Sequence, residues 1–285
     1  MKNENNIFKT IFTVPVIIYT ITLIFIPLVY ILFLSFCKSD SYGGILYQFN
    51  LNNYFMIFDI TYLKVFLKSF LIAIITTFLC ILIAYPFSLA LINKSEQVQN
   101  LIIKLVNVPF LTNSLIRIYG WIVLLRKNGI VNNFLLSINL IDEPLNLMYN
   151  YIGIIIGMVY TLLPFMILPV YSAVSKVDKS LIEAGHDLGV SEFKIFKNII
   201  FPITLPGVFN GSLMVFIPAI GYFFITDILG GGKFMIIGNL IKNQFLTARN
   251  WPFGASLSIF LLIITFGLVS IYKKIGGKMD DLGGA

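Results

Sequence analysis

The chain has 285 residues, 58% of them hydrophobic and only 12% charged, with a formal net charge of +7 and a mean hydropathy of +0.91. Soluble domains carry about 25% charged residues. Halving that fraction makes lipid the solvent and excludes secreted, disordered and nucleic-acid-binding classes. The positive balance fits Lys-rich cytoplasmic loops beside anionic lipid.

A bilayer crossing needs about 20 apolar residues. Six stretches qualify: 11–36, 65–92, 101–125, 151–174, 202–224 and 254–272. They predict an all-α integral membrane protein with six transmembrane helices. Lys2 and Lys9 precede the first stretch, which is too long for a signal-peptide core and has no cleavage site after it. It reads as a retained helix. Cys37 and Cys80 read as small apolar packing residues. The third stretch holds Arg117, together with Asn107, Thr112, Asn113 and Ser114, which are expected to bond between helices. The fourth carries Pro164 and Pro169; the fifth carries Pro202, Pro206 and Pro218. Prolines free backbone carbonyls that neighbours or a cavity must satisfy. Six spans put both termini on one side. A small excess of Lys and Arg in the segments shared with the termini favours the cytoplasm for that side. No long linker and no internal repeat divides the chain, so one domain over 1–285 is expected.

The polar segment between the fourth and fifth spans, about 176–201, has an ordered pattern. Ser180-Leu181-Ile182-Glu183 fits a capping box, and Gly189 stands where a helix would stop in a left-handed turn. A helix over about 180–188 is expected between them. Ser191 then caps a second helix, in which Phe193, Phe196, Ile199 and Ile200 recur at helical spacing. His186 is the only histidine, and no metal site is expected around it.

The spacing Glu183-Ala184-Gly185, then Gly189, then Ile199 and Pro202 resembles a signature of binding-protein-dependent ABC importer permeases. That signature reads Glu-Ala-Ala, three residues, Gly, nine residues, Ile-x-Leu-Pro. Gly185 and Phe201 are its two departures here, small for small and apolar for apolar. The resemblance implies the type I ABC importer permease fold. It makes the loop a cytoplasmic coupling helix that docks on a separate ATPase, with Glu183, Ala184, Gly185, Asp187 and Gly189 in the docking element. ATP and Mg would then be bound by that ATPase, with no cofactor in this chain. The sequence agrees: it contains no G-x-x-x-x-G-K-[ST], and Gly230-Gly231-Gly232-Lys233-Phe234 has the wrong spacing and reads as an external turn.

Asn113 to Trp121, Leu163 to Met166, Ile237 to Leu246 and Trp251 to Ala255 resemble the spermidine/putrescine branch of this family. The likeness implies a bacterial cytoplasmic-membrane complex of two similar permeases, two ATP-binding subunits and an extracytoplasmic polyamine-binding protein. A permease for ferric ion or phosphate shares the loop and remains the alternative. Polyamines call for carboxylates and for aromatic faces that accept ammonium groups. Asp227, Tyr160, Tyr119, Trp121 and Tyr222 are the candidate pathway or gate residues; an interfacial cap or an aromatic belt is the plainer reading of each. Arg117 would repel a polycation. It is expected to pair with a carboxylate or a helix C-terminus, or to reach the interface, in a structural or gating role.

Overall fold

The computed structural model describes residues 13–40 and 43–274. Lys2, Lys9 and Lys278 lie outside them. The chain forms two compact units. One holds the described residues up to Leu63 together with Leu240–Ile264; the other holds Lys64–Asn239 and the described residues from Thr265 on.

In the first unit, α1 (Thr13–Ser35) is an apolar helix with little of its surface covered. It widens into a π turn at Ile21–Phe25, directly before Pro27. Proline has no N–H to give and its ring crowds the carbonyl four residues back, so the ladder opens there. A two-residue ribbon follows, β1 (Lys38–Ser39) antiparallel to β2 (Ile45–Leu46). The short helix α2 (Asn52–Ile57) returns to α1: Asn53 is buried and its amide donates to the carbonyls of Ser35 (3.2 Å) and Cys37 (2.8 Å). Leu34, Cys37 and Ala255 form the core of this unit, backed by Phe245. Cys37 and Cys80 are both buried free thiols.

The long helix α3 (Ile60–Ile92) carries the second span and starts five residues earlier than the hydropathy suggested. Asp59 caps it, accepting from the Thr61 N–H at 2.8 Å.

The second unit corrects the third predicted span. Residues 101–125 are not one straight helix. α4 (Glu96–Asn107) runs into a 3₁₀ turn (Val108–Leu111), the chain extends at Thr112, and α5 (Ser114–Leu125) starts afresh. The two halves meet at 96°. The polar residues expected to bond between helices serve this break instead. Asn113 caps α5 through the Leu115 N–H, Thr112 donates to Pro109 O, and Asn107 donates to Ile103 O. Pro109 explains the tightening, and an Asn beyond it supplies the new cap. Helix α6 (Ile130–Ser137) follows.

α7 (Tyr151–Val174) is the fourth span and α8 (Lys179–Asp187) the loop helix. α9 (Glu192–Gly221) is the fifth span, helical without interruption from the loop onward, with a π turn at Phe196–Ile200. α7 and α9 pack closely along their length. A Cβ on Gly207 would fall 2.3 Å from Ala173 Cβ and 2.7 Å from Pro169 O, and one on Gly211 would fall 2.7 Å from Met166 Sδ. Glycines therefore set this interhelix distance. α9 ends at Gly221, short of the expected 224. After Tyr222 the chain restarts as α10 (Phe223–Leu229), then α11 (Ile237–Leu246) and α12 (Trp251–Lys274). Gly231 and Gly232 both have positive φ, and a Cβ on Gly231 would strike the Tyr149 ring. Gly231 thus lies against Tyr149, while Gly232 stands in open space.

Candidate coupling loop and cargo site

The loop is two helices set at a corner. Asp178, not Ser180, is the N-cap of α8; its carboxylate accepts from the Ser180 N–H at 2.9 Å. Both residue types can cap, and the one that lies outside the helical turn is Asp178. That bond holds the Asp178 carboxyl below its usual value. At the other end Gly189 has φ +70°. Its N–H donates to His186 O (2.8 Å), and the Val190 N–H donates to Gly185 O (3.0 Å). This pair of bonds is a Schellman closure, which places a left-handed residue at Gly189.

Gly185 is buried, and a Cβ there would fall 3.0 Å from Ile195. Its small size lets α8 lie against the start of α9. Glu183, Ala184 and Asp187 are exposed. So are Leu188 and Phe193, at 81% and 71%. Phe193 does not belong to the inward stripe that the sequence predicted; Ile195, 1% exposed, takes that place. Ile195 is the residue that α8 packs against at Gly185, a contact that helical spacing alone does not reveal. His186 Nε2 lies 3.5 Å from Glu192 Oε1 across the corner, an exposed pair of small energetic worth. Beneath α8 a cavity of about 380 Å³ is lined by Asn93, Gln99, Ser175, Glu183 and His186, among others. Gln99 organises its floor, donating to Lys94 O and accepting from the Tyr171 hydroxyl, both at 2.8 Å.

The far end of α9 leads to the second site. α5, α7 and α10 pack on one another there. The Arg117 guanidinium stands 5.9 Å from the centre of the Tyr160 ring. Trp121 meets the same ring edge-on, with centroids 5.2 Å apart. Arg117 and Trp121 are one helical turn apart and so share a face of α5. Tyr119, two residues from Arg117, falls on the opposite face and is 58% exposed. It does not join the cluster. Tyr222 lies within electrostatic reach of Arg117.

Of the alternatives expected for Arg117, a carboxylate partner is absent among the described residues. Its Nε and Nη1 are buried without a hydrogen-bond partner. Each such donor costs about 1–3 kcal/mol, more when charged.

Asp227 sits on α10, and its Oδ1 accepts from Asn239 Nδ2 at 2.7 Å. Asn239 was not singled out from the sequence. It is 3% exposed, donates also to Phe223 O (3.2 Å), and accepts from Thr226 Oγ1 (2.7 Å) and the Ile236 N–H (3.1 Å). Next to it, the Ile237 N–H donates to Ser69 Oγ at 2.9 Å. One polar amide in the apolar run Ile236–Ile241 was the available signal.

One continuous helix, α9, thus runs from the polar corner at 178–191 towards the Arg117, Tyr160 and Trp121 cluster. Residues 5–279 match the family described as binding-protein-dependent transport system inner membrane component. The chain belongs to this family. It is therefore a multi-pass inner-membrane transport component, a permease subunit. The chain is 42% identical to the spermidine/putrescine transport system permease protein PotB of Salmonella typhimurium, over 99% of each chain. Identity is also 42% to PotB of Escherichia coli K12, over 92% of this chain and 95% of that one. With PotB of Haemophilus influenzae it is 40%, over 96% of each. Among solved structures, a chain of a bacterial alginate ABC transporter in complex with a pentasaccharide-bound periplasmic protein superposes with a TM-score of 0.76 at 13% identity. It covers 95% of the permease and 94% of its own length. A second alginate ABC transporter chain gives 0.70 at 16% identity, over 97% and 100%. These establish the fold of the permease as that of type I ABC importers.

Proposed function

We propose that this permease carries polyamines of the spermidine and putrescine class inward, driven by a separate ATPase. The observation that carries the reading is identity of 40–42% to spermidine/putrescine permeases over nearly the whole length. The working complex contains a second, similar permease, two ATP-binding subunits that bind ATP and Mg, and an external polyamine-binding protein. Both termini face the cytoplasm, as does the loop at 176–201.

The path of work follows from the helices. The exposed residues Glu183, Ala184, Asp187 and Leu188 of the loop present a mixed polar and apolar surface to the ATPase. Gly189 fixes the angle at which that surface meets α9. When ATP closes the ATPase pair, displacement of α8 is delivered to α9, whose 30 helical residues transmit it to Tyr222 and α10. Because α7 and α9 touch through glycine contacts, they move together. The permease pair thereby alternates between faces. At the far end Asp227, with Tyr160, Trp121 and Tyr222, offers a carboxylate and aromatic surface suited to a flexible polycation. Arg117 gates this path.

The test is uptake of labelled putrescine and spermidine by the complete complex in proteoliposomes, with Asp227→Asn as the variant. Loss of carboxylate charge should reduce polyamine uptake at least tenfold, while the ATPase still co-purifies. Uptake unchanged by Asp227→Asn would remove Asp227 from the path; no polyamine uptake by the unaltered complex would overturn the assignment.

A further inference from the structure

The placement of Arg117 is energetically poor by every local measure. It lies in the first turn and a half of α5, counted from the Asn113 cap, where the partial positive charge of the helix start disfavours a cation. It has no carboxylate partner among the described residues, and two of its nitrogens are buried and unbonded. What it does have is the face of Tyr160, 5.9 Å away, in a ring pair completed by Trp121. Tyr222 is close enough to feel the charge. Aromatic faces grouped in this way are the surface that binds alkylammonium cations.

We propose that Arg117 is an internal competitor for the cargo: its guanidinium occupies the aromatic site of Tyr160 and Trp121 that an ammonium group of the substrate would otherwise enter. This rests on the polyamine reading above and adds a specificity device to it. A cation held by so little is easily displaced. A diamine brings two charges to a site that also has Tyr222 beside it, so it can replace the arginine. A small monovalent cation brings one charge and gains less by exchange. The break at Thr112–Asn113 lets α5 shift without unwinding α4, which gives Arg117 a way to leave. The repulsion that a fixed cation would impose on a polycation is thus confined to the state in which the site is closed.

The experiment measures equilibrium binding of labelled putrescine to the complete transporter in nanodiscs, without the binding protein, alongside the emission of Trp121 in a Trp251→Phe background. Arg117→Gln should tighten putrescine about tenfold and admit methylammonium, because the internal competitor is gone. Arg117→Lys should behave like the unaltered protein. Tyr160→Leu should lose binding and the Trp121 response, and Tyr160→Phe, which keeps a cation-accepting face, should retain both. A residue that only held the helices together would weaken binding on removal, so weaker or unchanged binding in Arg117→Gln overturns the proposal. If Arg117→Gln does not assemble, the Tyr160 pair decides: equal binding by the Leu and Phe variants overturns it. These outcomes differ from failure of the polyamine reading itself, in which the unaltered complex with its binding protein imports no polyamine.

Discussion

Substitutions at Gly189 separate backbone geometry from bulk at the coupling corner. A Cβ built there meets no atom within 4 Å, while φ is +70°. Space is therefore free, and the obstacle to a side chain is conformational. The left-handed region costs an ordinary residue about 1–2 kcal/mol, with Asn the most tolerant. Both closing bonds of α8, from Gly189 N–H to His186 O and from Val190 N–H to Gly185 O, require that conformation. A penalty of this size on the closed corner reduces its population about 5–30-fold. Gly189→Asn should keep most activity, Gly189→Ala should lose part, and Gly189→Val should lose most, although Asn is larger than Ala. The assay is ATP-driven putrescine uptake by the reconstituted complex, normalised to the amount of co-purified ATPase. Equal damage by Asn and Val, following side-chain volume, would refute a conformational role and leave contact with the partner surface as the explanation.

Other positions give independent checks. Gly207→Ala puts a methyl 2.3 Å from Ala173 Cβ; overpacking of this kind costs about 1–3 kcal/mol, so the melting temperature in detergent should fall, and Ala173→Gly should restore part of it. An unchanged melting temperature would contradict the close approach of α7 and α9. Asn239→Leu removes four hydrogen bonds and leaves the Ile236 N–H without its acceptor, while the Thr226 hydroxyl keeps Phe223 O, at about 1–3 kcal/mol for a buried group left bare. Thermal melting and uptake should drop together, and a silent substitution would dismiss the amide as an organiser of α10. The Asp178 carboxyl is held below its usual value by the Ser180 N–H. Its stabilising bond is therefore present above the ordinary carboxylate pKa and is lost as pH falls through the lowered one. Hydrogen exchange across 179–187 should quicken below about pH 4, and Asp178→Asn, a cap that does not titrate, should flatten that dependence.

The loop at 176–201 was legible at the level of element type and position because its signals are local. A helix, its glycine stop and the second helix follow from residues close in sequence; the structure moves the first cap from Ser180 to Asp178 and leaves the Ser191 side chain without a capping bond. The buried face was misread for a definite reason. Periodicity marks an apolar face but not what covers it: the neighbouring helix α8 packs at Gly185 on Ile195, which is buried, while Phe193 stays exposed. The cargo-site candidates were found by residue type alone. Tyr119 matched by type but lies on another face of α5 from Arg117, since residues two apart on a helix are about 200° apart around its axis.

Composition and apolar run length alone determined that the chain lives in a membrane, because hydrocarbon admits only segments that satisfy their own backbone. Motif spacing likewise determined where the loop lies. Tertiary structure decided what long-range packing controls: the 96° break in the third span, which forms around Pro109 and Asn113, and the glycine contacts that join α7 to α9. It also decided the partner of Arg117. The sequence left a carboxylate, a helix C-terminus and the interface open, because the partner of a side chain is whatever neighbouring helices bring within reach. Here α7 brings the ring of Tyr160.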